Sequence, residues 1–176
     1  QSGKTRAYLG IIARAFDVEY DVAVILTKGT KSLVKQTLSR VRQDYASFIA
    51  VDKLQVHDIM ALPDLTPYEL DQKLVFIVKK EDDNLRRLIG AFTKSYPILR
   101  TKRLLIVDDE ADLASISFRK EDGVVKPGKL SRQIDDLREI VEDADFLQVT
   151  ATPYSLYLQP DDDTLLADGH LFKPKR

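Results

Sequence analysis

The residues Leu104-Leu105-Ile106-Val107-Asp108-Asp109-Glu110-Ala111-Asp112 form a short apolar run that ends in acidic side chains. Successive branched apolar residues predict a strand that is buried on both faces, as the inner strands of parallel sheets are. The acidic residues would then lie at the carboxyl end of the strand, the edge at which open α/β sheets bind ligands. A solvated acidic turn is the common alternative, so the interpretation depends on two further segments, at residues 1–5 and 150–153.

Strand and helix patterns alternate on both sides of this run. Strands are predicted at 22–26, 54–59, 74–78 and 146–150, and helices at about 4–17, after Thr30, after 81–83 and around 134–141. This alternation implies right-handed crossovers and a three-layer α/β sandwich with a mainly parallel central sheet. Residues 113–130 have a poor core composition and are expected to form an excursion near the site.

The composition limits the class of protein. The chain has 176 residues, 44% hydrophobic and 31% charged, which predicts a single soluble domain spanning 1–176. A net charge of −1 argues against a broad surface for nucleic acid or membrane. The absence of cysteine excludes disulfides and zinc-thiolate sites and is compatible with the cytoplasm. No apolar run approaches the roughly 20 residues of a membrane span, so no membrane partner is expected.

The chain opens on half of a phosphate-binding motif. Ser2-Gly3-Lys4-Thr5 matches the end of Gly-x-x-x-x-Gly-Lys-Ser/Thr, and Gln1 would lie in the same loop. Gly3 lets backbone amides approach phosphate, Lys4 reaches the terminal phosphates and Thr5 offers a hydroxyl to Mg²⁺. The alternative is an ordinary helix start. Because no strand precedes the motif, we expect a fragment of a longer protein from which the first strand is missing.

The acidic pair supplies the second half of such a site. Hydrolysis of a nucleoside triphosphate needs an acid that holds magnesium and a base that orients water, roles predicted for Asp109 and Glu110. Side chains of a strand alternate between its faces, so Asp108 is expected to be a structural acid. For Glu110 the alternative is a solvated acid at a helix start.

Asp109-Glu110-Ala111-Asp112 spells the DEAD signature of superfamily-two helicases, and Thr150-Ala151-Thr152-Pro153 resembles their Ser/Thr-Ala-Thr motif. The chain therefore resembles the first RecA-like lobe of these ATPases, and most closely the helicase-like ATPases of restriction and phage-defence systems, including the so-called Z-one group. The resemblance implies ATP and Mg²⁺ as ligands and a second RecA-like lobe that carries an arginine finger. It also implies that Asp112, Thr150, Ala151 and Thr152 couple the nucleotide state to lobe movement. The strand ending at Thr150 would lie between the phosphate-loop strand and the DEAD strand.

The resemblance places a nucleic-acid contact at Lys28, Gly29 and Thr30, with DNA preferred to RNA as the expected partner. A lysine, a hydroxyl and backbone amides are suited to phosphate contacts. The alternative is a turn in which Thr30 caps the next helix.

Three functions remain open from the sequence. The first is the amino-terminal motor lobe of a nucleic-acid-dependent ATPase, a helicase or DNA translocase of a restriction or defence system, in which the fragment alone is inactive. The second is a catalytically silent nucleotide-binding or protein-interaction platform. A phosphoryl-transferring kinase fits less well, because the Asp109-Glu110 pair suits activation of water. His57, His170 and the acidic cluster at 161–163 receive no functional role.

Overall fold

A computed structural model describes residues 2–110, 118–121 and 124–150 of the chain. Its main element is a five-stranded sheet in which every strand pair is parallel. The strands are β1 (Val22–Thr27), β2 (Leu54–Asp58), β3 (Lys73–Lys79), β4 (Leu104–Asp109) and β7 (Ala144–Val149), in the spatial order β2-β3-β1-β4-β7. The predicted α/β class with a parallel sheet is confirmed.

The strands are connected by helices that pack on both faces of the sheet. The helices are α1 (Ser2–Asp17), α2 (Lys31–Asp44), α3 (Ala46–Ile49), α4 (Pro67–Leu70), α5 (Asp82–Gly90) and α6 (Lys129–Ile140). A π-helical turn (Ala91–Ser95) and two 3₁₀ turns (Ile59–Ala61 and Pro97–Thr101) complete the connections. Among the residues described, no helix is both long enough and apolar enough to cross a bilayer.

The core consists of two apolar clusters, one on each face of the sheet. Tyr8 and Ile12 of α1 and Val34 and Val41 of α2 pack on one face, and residues of α5 and α6 pack on the other. Strand β1, the apolar residues 74–78 of β3 and the apolar part of β4 are buried, because helices cover them on both sides. The sequence run that begins at Leu104 is therefore an inner strand, although β1 occupies the middle of the sheet.

The two edges of the sheet differ. Strand β2 is mostly buried, whereas most residues of β7 are only partly buried. Strand β7 pairs with β4 on one side, and no strand within the described ranges lies on its other side. Thr150 follows β7 directly, so the strand that precedes Thr150 pairs with β4, and its position between β4 and a phosphate-loop strand stays a prediction.

Part of the 113–130 segment is regular. Strands β5 (Phe118–Glu121) and β6 (Val124–Pro127) pair in an antiparallel hairpin, and α6 begins immediately afterwards. The sequence analysis did not predict this hairpin. Residues 111–117, 122–123 and 151–176 lie outside the described part of the chain, and with them Asp112, Ala151, Thr152, His170 and the 161–163 cluster.

Candidate functional site

The candidate site lies where the carboxyl ends of β1 and β4 meet the first turn of α1. The parallel register places Leu26 of β1 beside Asp108 of β4, so both strands end at the same edge. Helix α1 begins at Ser2, and its first turn contains no acidic residue. Unpaired backbone N–H groups and a partial positive charge therefore face this edge, an arrangement that attracts anions.

A pocket of about 140 Å³ joins these elements. Lys4 and Thr5 line it from α1, and Asp109 and Glu110 line it from the end of β4. Residues separated by about a hundred positions in the sequence thus converge, as the motif order predicts. Thr27 and Lys28 at the end of β1, and Leu33, Gln36, Thr37 and Arg40 of α2, complete the wall.

Asp109 is a half-buried acid within this pocket. Burial, and after it the negative charge of Glu110, raise the pKa of Asp109, while the positive charge of Lys4 acts in the opposite direction. A cation placed beside Asp109 would relieve the repulsion between the two acids. Positive charge near Asp109 therefore favours its ionised form, and Lys4 supplies some of that charge.

The donor set fits Mg²⁺ bound together with phosphate. Magnesium is usually held by one or two protein oxygens, with water and substrate phosphate completing the octahedron. Thr5 offers a hydroxyl and Asp109 a carboxylate in the same pocket. Within the described residues, no group of three or more His, Cys or acidic side chains is arranged to hold a metal by protein ligands alone.

Asp108 points away from the pocket. Leu104 and Ile106 contact one core cluster, and Leu105 and Val107 contact the other, so Asp108 and Asp109 fall on opposite faces of β4. The Asp108 carboxylate accepts a hydrogen bond of 2.7 Å from Nζ of Lys80, and the two side chains are only 2% and 4% exposed. Lys80 is a residue that sequence reasoning missed, because its partner lies on a different strand.

The turn after β4 has an unusual backbone conformation. Glu110 has a φ of 60°, in the left-handed region that non-glycine residues seldom occupy. Such a residue costs about 1–3 kcal/mol and persists where its surroundings hold it. Here Lys80 also donates from Nζ to the carbonyl oxygens of Asp109 (2.9 Å) and Glu110 (3.2 Å).

Tyr8 is a second residue that the sequence analysis did not assign to the site. Its spacing predicts only an apolar helix face, yet its buried hydroxyl lies near the Thr5 hydroxyl and the Asp109 carboxylate, outside hydrogen-bonding geometry. Burial first, and then the charge of Asp109, raise the pKa of Tyr8. The hydroxyl therefore stays protonated behind the pocket wall.

The predicted nucleic-acid loop connects β1 to α2. Gly29 has a φ of 104°, and Thr30 caps α2 by accepting a hydrogen bond from the Leu33 amide, so the capped turn that the sequence allowed is present. Lys28 lines the same pocket as Lys4. The nucleic-acid role of these residues stays a prediction.

Of the remaining features, two are described and lie away from this pocket. Gln1 is outside the described residues, and His57 is buried in β2, where its Nε2 lies 3.0 Å from Gln55 Oε1. A larger, mainly apolar depression lies near the first residues of β2 and β3 and includes Phe16 and Phe48. It contains none of the predicted site residues.

Comparison with known proteins finds no matching family model, no matching curated protein and no matching solved structure. The function must therefore be inferred from the fold and the pocket.

Proposed function

We propose that this chain is the amino-terminal motor lobe of a nucleic-acid-dependent ATPase with two RecA-like lobes. The observation that carries the proposal is the convergence of Lys4 and Thr5 with Asp109 and Glu110 on one pocket at the carboxyl edge of a parallel sheet. This is the edge at which α/β proteins bind nucleotides. A cation, a hydroxyl, two acids and a helix amino terminus meet the requirements of a magnesium-bound triphosphate.

Each residue has a defined task in the proposed reaction. Lys4 and the first amides of α1 bind the terminal phosphates, and Thr5 and Asp109 would hold magnesium, which would neutralise charge on the transferred group. Glu110 orients a water molecule and accepts its proton. As the water oxygen bonds to the γ-phosphorus, the bond from that phosphorus to the bridging oxygen of ADP breaks, and inorganic phosphate is released.

The sheet supports the finer assignment to a RecA-like lobe. In the described part of the chain, no strand pairs with the outer edge of β7. Strand β7 runs parallel to β4, so a further parallel strand can pair with it at this edge. In our proposal, a phosphate-loop strand pairs with β7 at this edge. Thr150 would then lie between the phosphate loop and Asp109, where it can couple the nucleotide state to the second lobe.

The proposed partners follow from the same assignment. DNA, preferred to RNA, would contact Lys28, Gly29 and Thr30, while Asp112, Thr150, Ala151 and Thr152 couple its binding to hydrolysis. The biological setting proposed is a restriction or phage-defence system.

The test is phosphate release from ATP by the intact parent protein, with and without DNA. Wild-type protein should hydrolyse ATP faster with DNA, and both Lys4→Ala and Glu110→Gln should abolish the stimulated rate without unfolding the protein. Undiminished turnover in both variants would falsify the proposal. Failure of the wild-type protein to bind magnesium-ATP would favour the silent interaction platform instead.

A further inference from the structure

We propose that Lys80 is a positioning residue for Asp109 and Glu110, because its ammonium group holds the turn that directs both acids into the pocket. This inference rests on the proposed function. Lys80 contacts neither nucleotide nor metal in the proposal, so it would act only through the backbone of the acidic motif.

Lys80 connects three strands at the carboxyl edge of the sheet. It follows the last residue of β3, and its backbone N–H donates to the carbonyl of Thr27 at the end of β1 (2.8 Å). Its side chain continues to the end of β4, where it pairs with Asp108. The Lys80 backbone is thus fixed to the neighbouring strand before the side chain reaches the acidic motif.

Nζ of Lys80 has oxygen acceptors on three successive residues at the end of β4. An ammonium group has three N–H donors. Nζ of Lys80 lies 2.7 Å from Asp108 Oδ1, 2.9 Å from the Asp109 carbonyl oxygen and 3.2 Å from the Glu110 carbonyl oxygen. The ammonium group therefore forms an ion pair with Asp108 and also donates to the backbone of the two predicted functional acids.

The carbonyl contacts explain why Glu110 keeps its left-handed conformation. Consecutive carbonyl groups of an extended strand point in opposite directions. The carbonyl groups of Asp109 and Glu110 can both accept from one ammonium group because the chain turns at Glu110, where φ is 60°. Without Lys80 the backbone can relax to a more common conformation. The Glu110 side chain would then leave the position from which it lines the pocket.

Three variants of the intact parent protein separate positioning from mere stabilisation. Lys80→Met breaks the buried ion pair with Asp108 and should lower both the melting temperature and kcat. The double variant Lys80→Met/Asp108→Leu removes both charges, and replacing a buried pair by apolar residues usually restores stability. Lys80→Arg keeps the charge, but a planar guanidinium cannot reproduce the three contacts of an ammonium group.

We expect the double variant and Lys80→Arg to melt near the wild-type temperature and to bind magnesium-ATP with a Kd within about threefold of wild type. In both variants kcat should fall about 100-fold, which is the scale of loss when a catalytic group is displaced by about 1 Å. The matched control is Lys79→Met, which removes the neighbouring lysine and its more exposed pair with Glu81. It should leave kcat unchanged. Recovery of wild-type kcat in both stable variants would overturn the proposal.

Hydrogen exchange distinguishes failure of this inference from failure of the proposed function. Should the wild-type protein lack ATPase activity, the proposed function fails, and exchange at the Asp109 and Glu110 amides still tests Lys80. Exchange there should be faster in both stable variants than in wild type and unchanged in Lys79→Met. Unchanged exchange in the Lys80 variants would overturn the positioning role.

Discussion

Asp108 and Asp109 are consecutive residues of β4 and lie on opposite faces of the sheet. Asp108 is buried in an ion pair with Lys80, whereas Asp109 lines the pocket together with Lys4. The alternation of a strand separates a structural acid from a predicted metal ligand. The pair therefore offers two adjacent positions at which the same substitution should have different consequences.

Asp108→Asn should lower the free energy of unfolding by about 3–5 kcal/mol, because it breaks the buried ion pair with Lys80. Asp109→Asn should leave that free energy unchanged or raise it, since burial and Glu110 already disfavour the ionised form of Asp109. Urea unfolding of both variants measures the difference. An equal loss in the two would contradict the separation of roles.

The loop between β1 and α2 should be intolerant of a side chain at Gly29. This residue has a φ of 104°, and an added Cβ would lie 2.5 Å from Cδ1 of Leu33. Gly29→Ala should therefore destabilise the protein by about 1–2 kcal/mol. Gly10→Ala is the matched control: Gly10 lies in α1 with no atom within 4 Å of the added Cβ, so the protein should gain about 0.5–1 kcal/mol. Thermal unfolding that ranks the two variants in the opposite order would refute this.

Two substitutions in the same loop distinguish its predicted contact with DNA from the alternative, a turn in which Thr30 only caps α2. Thr30→Ala removes the cap of α2 and should cost about 1 kcal/mol of stability. Lys28→Ala should weaken binding of DNA, and the slope of affinity against salt concentration should become shallower, whereas Thr30→Ala leaves that slope unchanged. Fluorescence anisotropy with labelled DNA measures both quantities. Wild-type affinity and salt dependence in Lys28→Ala would remove Lys28 from the interface.

His57 should make stability depend on pH near neutrality. Burial, followed by the charge of Arg42, lowers the pKa of His57 below its ordinary value of 6.5. His57 therefore binds a proton more readily in the unfolded chain than in the folded protein. The free energy of unfolding falls as the pH decreases from above 6.5 toward the lowered folded-state pKa. Melting temperatures between pH 7.5 and 5.5 should fall less in His57→Gln than in wild type. The chain has two histidines, so His170→Gln is the control, which should behave as wild type.

Much of the fold follows from local sequence patterns. The apolar runs at Val22 and Leu74 predict strands, and the run at Leu104 predicts an inner strand. Thr30 marks the start of α2 through its capping hydroxyl. The motif order predicts that Lys4 and Asp109 approach one another, because parallel strands place their carboxyl ends at one edge.

The missed features depend on contacts between distant parts of the chain. In the sequence, Lys80 looks like any charged residue that follows a strand. Its contact with Asp108 becomes evident only from the strand order β3-β1-β4. Tyr8 has the spacing of a core residue, and only the packing of α1 against β4 brings its hydroxyl near Asp109. The left-handed conformation of Glu110 likewise depends on long-range contacts with Lys80.

The most direct test of the central claim is a crystal structure of the parent protein with Mg²⁺ and a non-hydrolysable ATP analogue. The account predicts terminal phosphates within hydrogen-bonding distance of Lys4 Nζ, the metal about 2.0–2.1 Å from the Thr5 hydroxyl oxygen, and Asp109 beside the metal, directly or through one water. Nucleotide bound at another surface, or a metal that Thr5 and Asp109 do not share, would contradict it.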